Sequence, residues 1–171
     1  MTSDSISFDH SAAIDGLIER SFEAFKPPER LTVSEWAVRH RRLSPEGSAF
    51  TGRFRLETAP YQQEPMEAVN DADVQSVVLM WASQTGKTEV INNVVGFFIC
   101  EEPSPMLILQ PSLDMAETWS KDRLAPMVRD TAVLTDLVAD AKARDSGNTV
   151  LHKRFTGGHV TVAGANSPAS L

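Results

Sequence analysis

The residues of this chain whose types and spacing could do chemistry stand together in "SQTGKTE", residues 83–89. Consecutive backbone N–H groups at a helix N-terminus can wrap anionic oxygens. Glycine lets the backbone come close, a lysine bridges the outer phosphates, and a following hydroxyl ligates Mg²⁺. Gly86, Lys87 and Thr88 supply the second half of the pattern G-x-x-x-x-G-K-[ST] in full, while Trp81 stands where the first glycine is expected. The tripeptide alone recurs by chance, and a helix start with an exposed lysine is the competing reading. The flanking elements decide between them.

Residues 74–81 contain Val74, Val77, Val78, Leu79 and Met80 in near-continuous order, the pattern of a strand buried on both faces. Beyond Gly86, the residues Ile91, Val94, Val95, Phe98 and Ile99 mark one face of a helix running to about Cys100. A buried strand, a loop and an amphipathic helix are the context a phosphate loop requires. The sequence therefore predicts a nucleotide site. Upstream, "PYQ" places Tyr61, able to stack on a base, beside Gln62, whose amide can pair with an adenine edge.

The remaining elements follow from periodicity and punctuation. Residues 11–26 read as an amphipathic helix ended by the prolines of "KPPER", which makes residues 1–30 a helical appendage and linker. Thr32 and Glu35 form a capping box that opens a helix to about Arg42. A loop and a short helix over about 61–70 come next. After the central helix, "MLILQ" is a second short buried strand, and Ser112 caps a helix that Pro126 bends or ends. A short helix and a loop lead to "TVLHKRF" and "HVTVAG", a hairpin turning at "TGG". This order predicts an α/β domain over residues 31–171 with a parallel sheet and flanking helices.

Composition narrows the class. The 171 residues are 42% hydrophobic and 23% charged, which is ordinary for a globular chain. Cys100 is the one cysteine, and no Cys/His cluster has zinc-ligand spacing, so a reducing compartment is expected. The polar, acidic N-terminus excludes a secretory signal and no apolar run approaches a membrane span, so the expected location is the cytoplasm. A net charge of -7 argues against a freestanding nucleic-acid binder. The arginines at 30, 39, 41, 42, 53 and 55 are a local exception. They read either as a solvated face or as a phosphate-contacting patch.

Five segments, "LTVSEWAVRHRRLSPEGSA", "APYQQEPMEAVND", "SQTGKTEVINNVVGFFI", "LILQPSLDMAETWSKDRLAPMVRDT" and "RDSGNTVLHKRFTGGHVTVAGANSPASL", together resemble the lambda-like phage terminase large subunit. The resemblance spans about Leu31 to Leu171. It implies an additional-strand P-loop ATPase of the helicase and packaging-motor superfamily, and in that family the first glycine is absent too. It further implies ATP and Mg²⁺ as cofactors, with Ser83, Gln84, Thr85, Gly86, Lys87, Thr88 and Glu89 around the phosphates. Lys87 would be the key cation, Thr88 the metal ligand, and Tyr61 and Gln62 the adenine side. Related motors carry an arginine in the loop where this chain has Ser83.

The implied activity is ATP hydrolysis coupled to translocation of double-stranded DNA into a procapsid. The implied partners are DNA, a small terminase subunit and the portal, and no membrane. In the family an apolar strand ending in Asp-Glu follows "GANSPASL", and an endonuclease domain comes later. The sequence reaches Leu171 before either, and Asp71, Asp73, Glu101, Glu102 and Asp145 do not end apolar strands in the required order. The expectation is an N-terminal ATPase portion that binds ATP but lacks the catalytic acid. Two rival readings stay open: another helicase-like or kinase-like P-loop protein, and a non-catalytic nucleotide- or partner-binding remnant.

Overall fold

The computed structural model describes residues 14–18, 21–22, 30–48, 50–138 and 148–166. The chain divides into two units, Met1–Arg30 and Leu31–Leu171. In the first, residues 14–18 and 21–22 are helical; the rest of the expected 11–26 helix and the proline linker lie outside the described residues.

The second unit opens with helix α1, Val33–His40. Its capping box is formed as the sequence predicts: the Thr32 hydroxyl accepts from the Glu35 N–H, and the Glu35 carboxylate accepts from the Thr32 N–H at 2.8 Å. A two-residue ladder, β1 (Arg42–Leu43) against β2 (Gly52–Arg53), closes the segment read as plain loop. A 3-10 turn at Pro60–Gln62 leads into helix α2, Gln63–Ala68. Helix α3, Lys87–Cys100, follows the Gly86 turn and is the spine of the unit.

Strand β3, Met106–Gln110, is followed by helix α4, Leu113–Trp119, capped by the Ser112 hydroxyl. A π-helical turn, Ser120–Leu124, connects α4 to α5, Ala125–Asp130, where Pro126 occupies the first turn. Leu124 is itself helical and the Ala125 N–H donates to the Ser120 carbonyl, so Pro126 lies within a continuous helical path and offers the preceding turn no N–H. After the short α6, Ala132–Thr135, the hairpin β4 (His152–Phe155) and β5 (Gly158–Gly164) forms around Thr156 and Gly157. The sheet order is β3-β5-β4, with β3 and β5 parallel and β4 and β5 antiparallel.

The core gathers the inner faces of α1, α2, α3, the π-helical turn, α5, α6 and β5. Trp36, Met66, Phe97, Leu124, Met127, Leu134 and Val160 are all buried. Trp36 lies across Gly96 so closely that a Cβ there would overlap the indole. The small residue therefore lets α1 and α3 approach.

Two strand expectations need correction. Residues 74–82 form no strand, and Val78 and Met80 are 76% and 90% exposed. Both edges of β5 are taken by β3 and β4, and among the described residues no strand pairs with 74–82. An apolar run signals a demand for burial, but a ladder also needs a partner strand in register, and among the described residues none pairs with this run. Leu79 and Trp81 alone reach the core. Strand β3 forms where expected, with Leu107 and Leu109 exposed on one face instead of buried on both.

Candidate functional site

The loop of residues 83–88 is shaped by two left-handed positions, Gln84 at φ 61° and Gly86 at φ 85°. Glycine adopts that conformation freely, whereas glutamine does so at a cost, and such outliers cluster at binding sites. Left-handed residues alternating with ordinary ones point successive N–H groups to one side, the geometry of an anion nest. Gly86 is also the N-cap of α3, and no side chain caps that helix. Its first-turn N–H groups and its positive dipole end thus face the loop.

Lys87 turns back across this loop. Its Nζ donates to the carbonyls of Trp81 at 3.0 Å and Ala82 at 2.6 Å. Thr85 Oγ1 donates to the same Ala82 carbonyl at 2.8 Å. The ammonium is thereby held at the loop by neutral acceptors, which an anionic ligand outcompetes electrostatically. Ser83 and Gln84 are exposed, and Thr88 lies half-buried at the start of α3.

Tyr61 and Gln62 are brought to this loop from the 3-10 turn. The Tyr61 hydroxyl donates to the Thr85 carbonyl at 3.0 Å, and Gln62 Nε2 donates to it at 3.4 Å. Gln62 Oε1 is buried with no partner. The donor to Thr85 fixes which way the amide points, so the orphan is an acceptor and fits a ligand N–H. Gln62 also packs where a Cβ on Gly86 would go, a second reason for glycine there. Trp81, at the place of the missing first glycine, sets its ring edge-on to Tyr61 with centroids 5.2 Å apart. The sequence offered no signal for that contact.

Glu89 faces away from the loop. Its Oε2 pairs with Arg41 Nη2 at 3.1 Å, and Arg41 is only 3% exposed. Arg41 Nη1 donates to the Arg42 carbonyl, and the Phe54 N–H donates to the Arg41 carbonyl at 3.1 Å. Burial pushes the Arg41 pKa down and Glu89 partly offsets it; arginine stays charged. The arginine patch read from the sequence thus loses Arg41, which is an internal strut. Arg42, Arg53 and Arg55 are exposed. Charge counting along a chain cannot tell a surface arginine from one that meets a carboxylate 48 positions away.

Among the described residues, no group of three or more His, Cys, Asp or Glu side chains could hold a metal ion, and no helix is long and apolar enough to cross a membrane.

The loop has the geometry of an anion nest at the start of α3 within an α/β frame, and sequence comparison gives the family. The family described as phage terminase large subunit gpA, ATPase domain, matches residues 48–171. The chain is 30% identical over 131 residues to the large terminase subunit of Enterobacteria phage P21 and, at the same identity and length, to that of Escherichia phage lambda. Each match covers 77% of this chain and 20% of the relative. The chain belongs to the gpA terminase ATPase family and spans about one fifth of the length of those curated relatives. No solved structure matches it.

Proposed function

We propose that this chain is the ATP-binding part of a phage DNA-packaging motor, a P-loop site built on residues 83–88. The observation that carries the reading is Lys87 Nζ held over the loop by the Trp81 and Ala82 carbonyls, at an uncapped helix start. The phosphates would lie on the loop N–H groups with Lys87 on the outer ones. Thr88 Oγ1 would hold Mg²⁺, which when bound offsets charge on the outer phosphates. Residues 31–171 act as the nucleotide domain, and residues 1–30 as an appendage.

Tyr61 and Gln62 form the base side. The orphan Gln62 acceptor suits the exocyclic amine of adenine, and Tyr61 offers a ring beside Trp81. In the longer protein, hydrolysis would drive double-stranded DNA into a procapsid with a small subunit and the portal. The terminase relatives support that setting. With a net charge of -7 and Arg41 internal, this chain itself holds DNA only weakly.

Equilibrium titration with MgATP and MgGTP tests the site. ATP is expected to bind more tightly, and Gln62→Ala should erase most of the difference, about 1–3 kcal/mol for one unsatisfied buried partner. Equal affinity for the two nucleotides in the native sequence would remove Tyr61 and Gln62 from the base site.

A further inference from the structure

Thr88 opens onto a cleft of about 570 Å³ that nothing above has used. The π-helical turn contributes Lys121, Asp122 and Arg123 to its lining, which also includes Gln110 at the carboxyl end of β3. The volume is within the range of small-ligand sites. Ligands of α/β sheets collect outside the carboxyl ends of strands, and π-turns inside helices recur at functional positions. Three independent features therefore coincide on the side of the loop where the metal ligand and outer phosphates would lie.

Of the cations in this cleft, one is positioned to act. Lys121 is exposed and paired with Glu117 at 2.8 Å on its own helix face. Arg123 is half-buried, and its Nη1 donates to the Gly47 carbonyl across the fold. A guanidinium has five N–H donors, so this anchor orients it and leaves donors over. Arg123 also borders the small adjoining pocket of about 10 Å³ that the Arg41–Glu89 pair lines, which places it between that pair and the open cleft. Among the cleft carboxylates, Glu46 is engaged by Arg129 at 3.2 Å, which leaves Asp114 and Asp122. Those two disfavour a bare phosphate and suit one that arrives with a divalent cation.

We propose that Arg123 is the in-chain cation that contacts the terminal phosphate of a nucleoside triphosphate seated on residues 83–88. This rests on the P-loop reading above and supplies the charge that Ser83 does not. A cation there senses the γ-phosphate, so it discriminates triphosphate from diphosphate.

The test is calorimetric titration of the purified chain with MgATP and MgADP, for the native sequence, Arg123→Gln, Arg123→Ala and Lys87→Ala. Glutamine keeps a donor for the Gly47 carbonyl and removes the charge, so Arg123→Gln guards against a folding defect in Arg123→Ala. The expected result is a roughly tenfold or larger loss of MgATP affinity in Arg123→Gln with MgADP affinity within twofold, the size of one charge-assisted hydrogen bond. Lys87→Ala should weaken both nucleotides. If ATP and ADP affinities fall together in Arg123→Gln, or neither moves, while Lys87→Ala still weakens both, the Arg123 contact alone is overturned. If the folded native chain binds neither nucleotide, the P-loop reading falls first and takes this inference with it.

Discussion

Arg41 Nη2 and Glu89 Oε2 meet 3.1 Å apart inside the protein, with side chains 4% and 16% exposed, and tie the end of α1 to the first turn of α3. The pair sits one residue beyond Thr88, so it sets the phase in which α3 presents Lys87 and Thr88. Removing one partner strands a buried charge, which costs about 3–5 kcal/mol. Arg41→Met should lower unfolding free energy in urea by about 3 kcal/mol, toward the lower end because Glu89 keeps some solvent. A change below about 0.5 kcal/mol, the scale of ordinary surface substitutions, would show the pair to be incidental.

Gly96 and Trp36 bring α1 and α3 into close contact in the core. Any side chain at 96 must displace an indole that is fully buried. Gly96→Ala should destabilise by about 1–3 kcal/mol through overpacking, against the small gain in helix propensity that alanine ordinarily brings. Chemical denaturation of the variant checks the sign: greater stability than the native chain would contradict this packing.

His152 links stability to pH. Burial, then His159 and Arg154, hold its pKa below the usual histidine value, and its Nδ1 lies 3.1 Å from Thr161 Oγ1. The unfolded chain therefore binds its proton at a higher pH than the folded chain does. The site's stabilisation is fully present above the unfolded pKa of ~6.5 and is lost as pH falls through the lower folded value. Urea unfolding at several pH values should show a decline below pH ~6.5 that is shallower in His152→Gln. Identical slopes for the two proteins would assign the decline to other groups.

Much of this arrangement was legible because its signals are local. The Thr32–Glu35 box, the Ser112 cap and the glycine turn at 156–158 each specify backbone over a few residues, and each forms as read. What failed was long-range. The run at 74–80 announces apolarity without naming a partner strand, and among the described residues it has none. Arg41 belonged by composition to a surface patch, until folding brought Glu89 to it. The π-turn at 120–124 carries no sequence signal that would mark Arg123.

The most direct measurement is titration of the purified 171-residue chain with MgATP, alongside Lys87→Ala. Lys87 Nζ donates to the Trp81 and Ala82 carbonyls of its own loop, so its loss should spare the fold while removing the cation proposed for the phosphates. The expected result is saturable binding by the native chain and an affinity at least tenfold weaker in Lys87→Ala, the scale of a lost charge-assisted contact, with both proteins melting alike. Absent binding by the folded native chain, or equal affinity in the variant, would contradict a nucleotide site at residues 83–88.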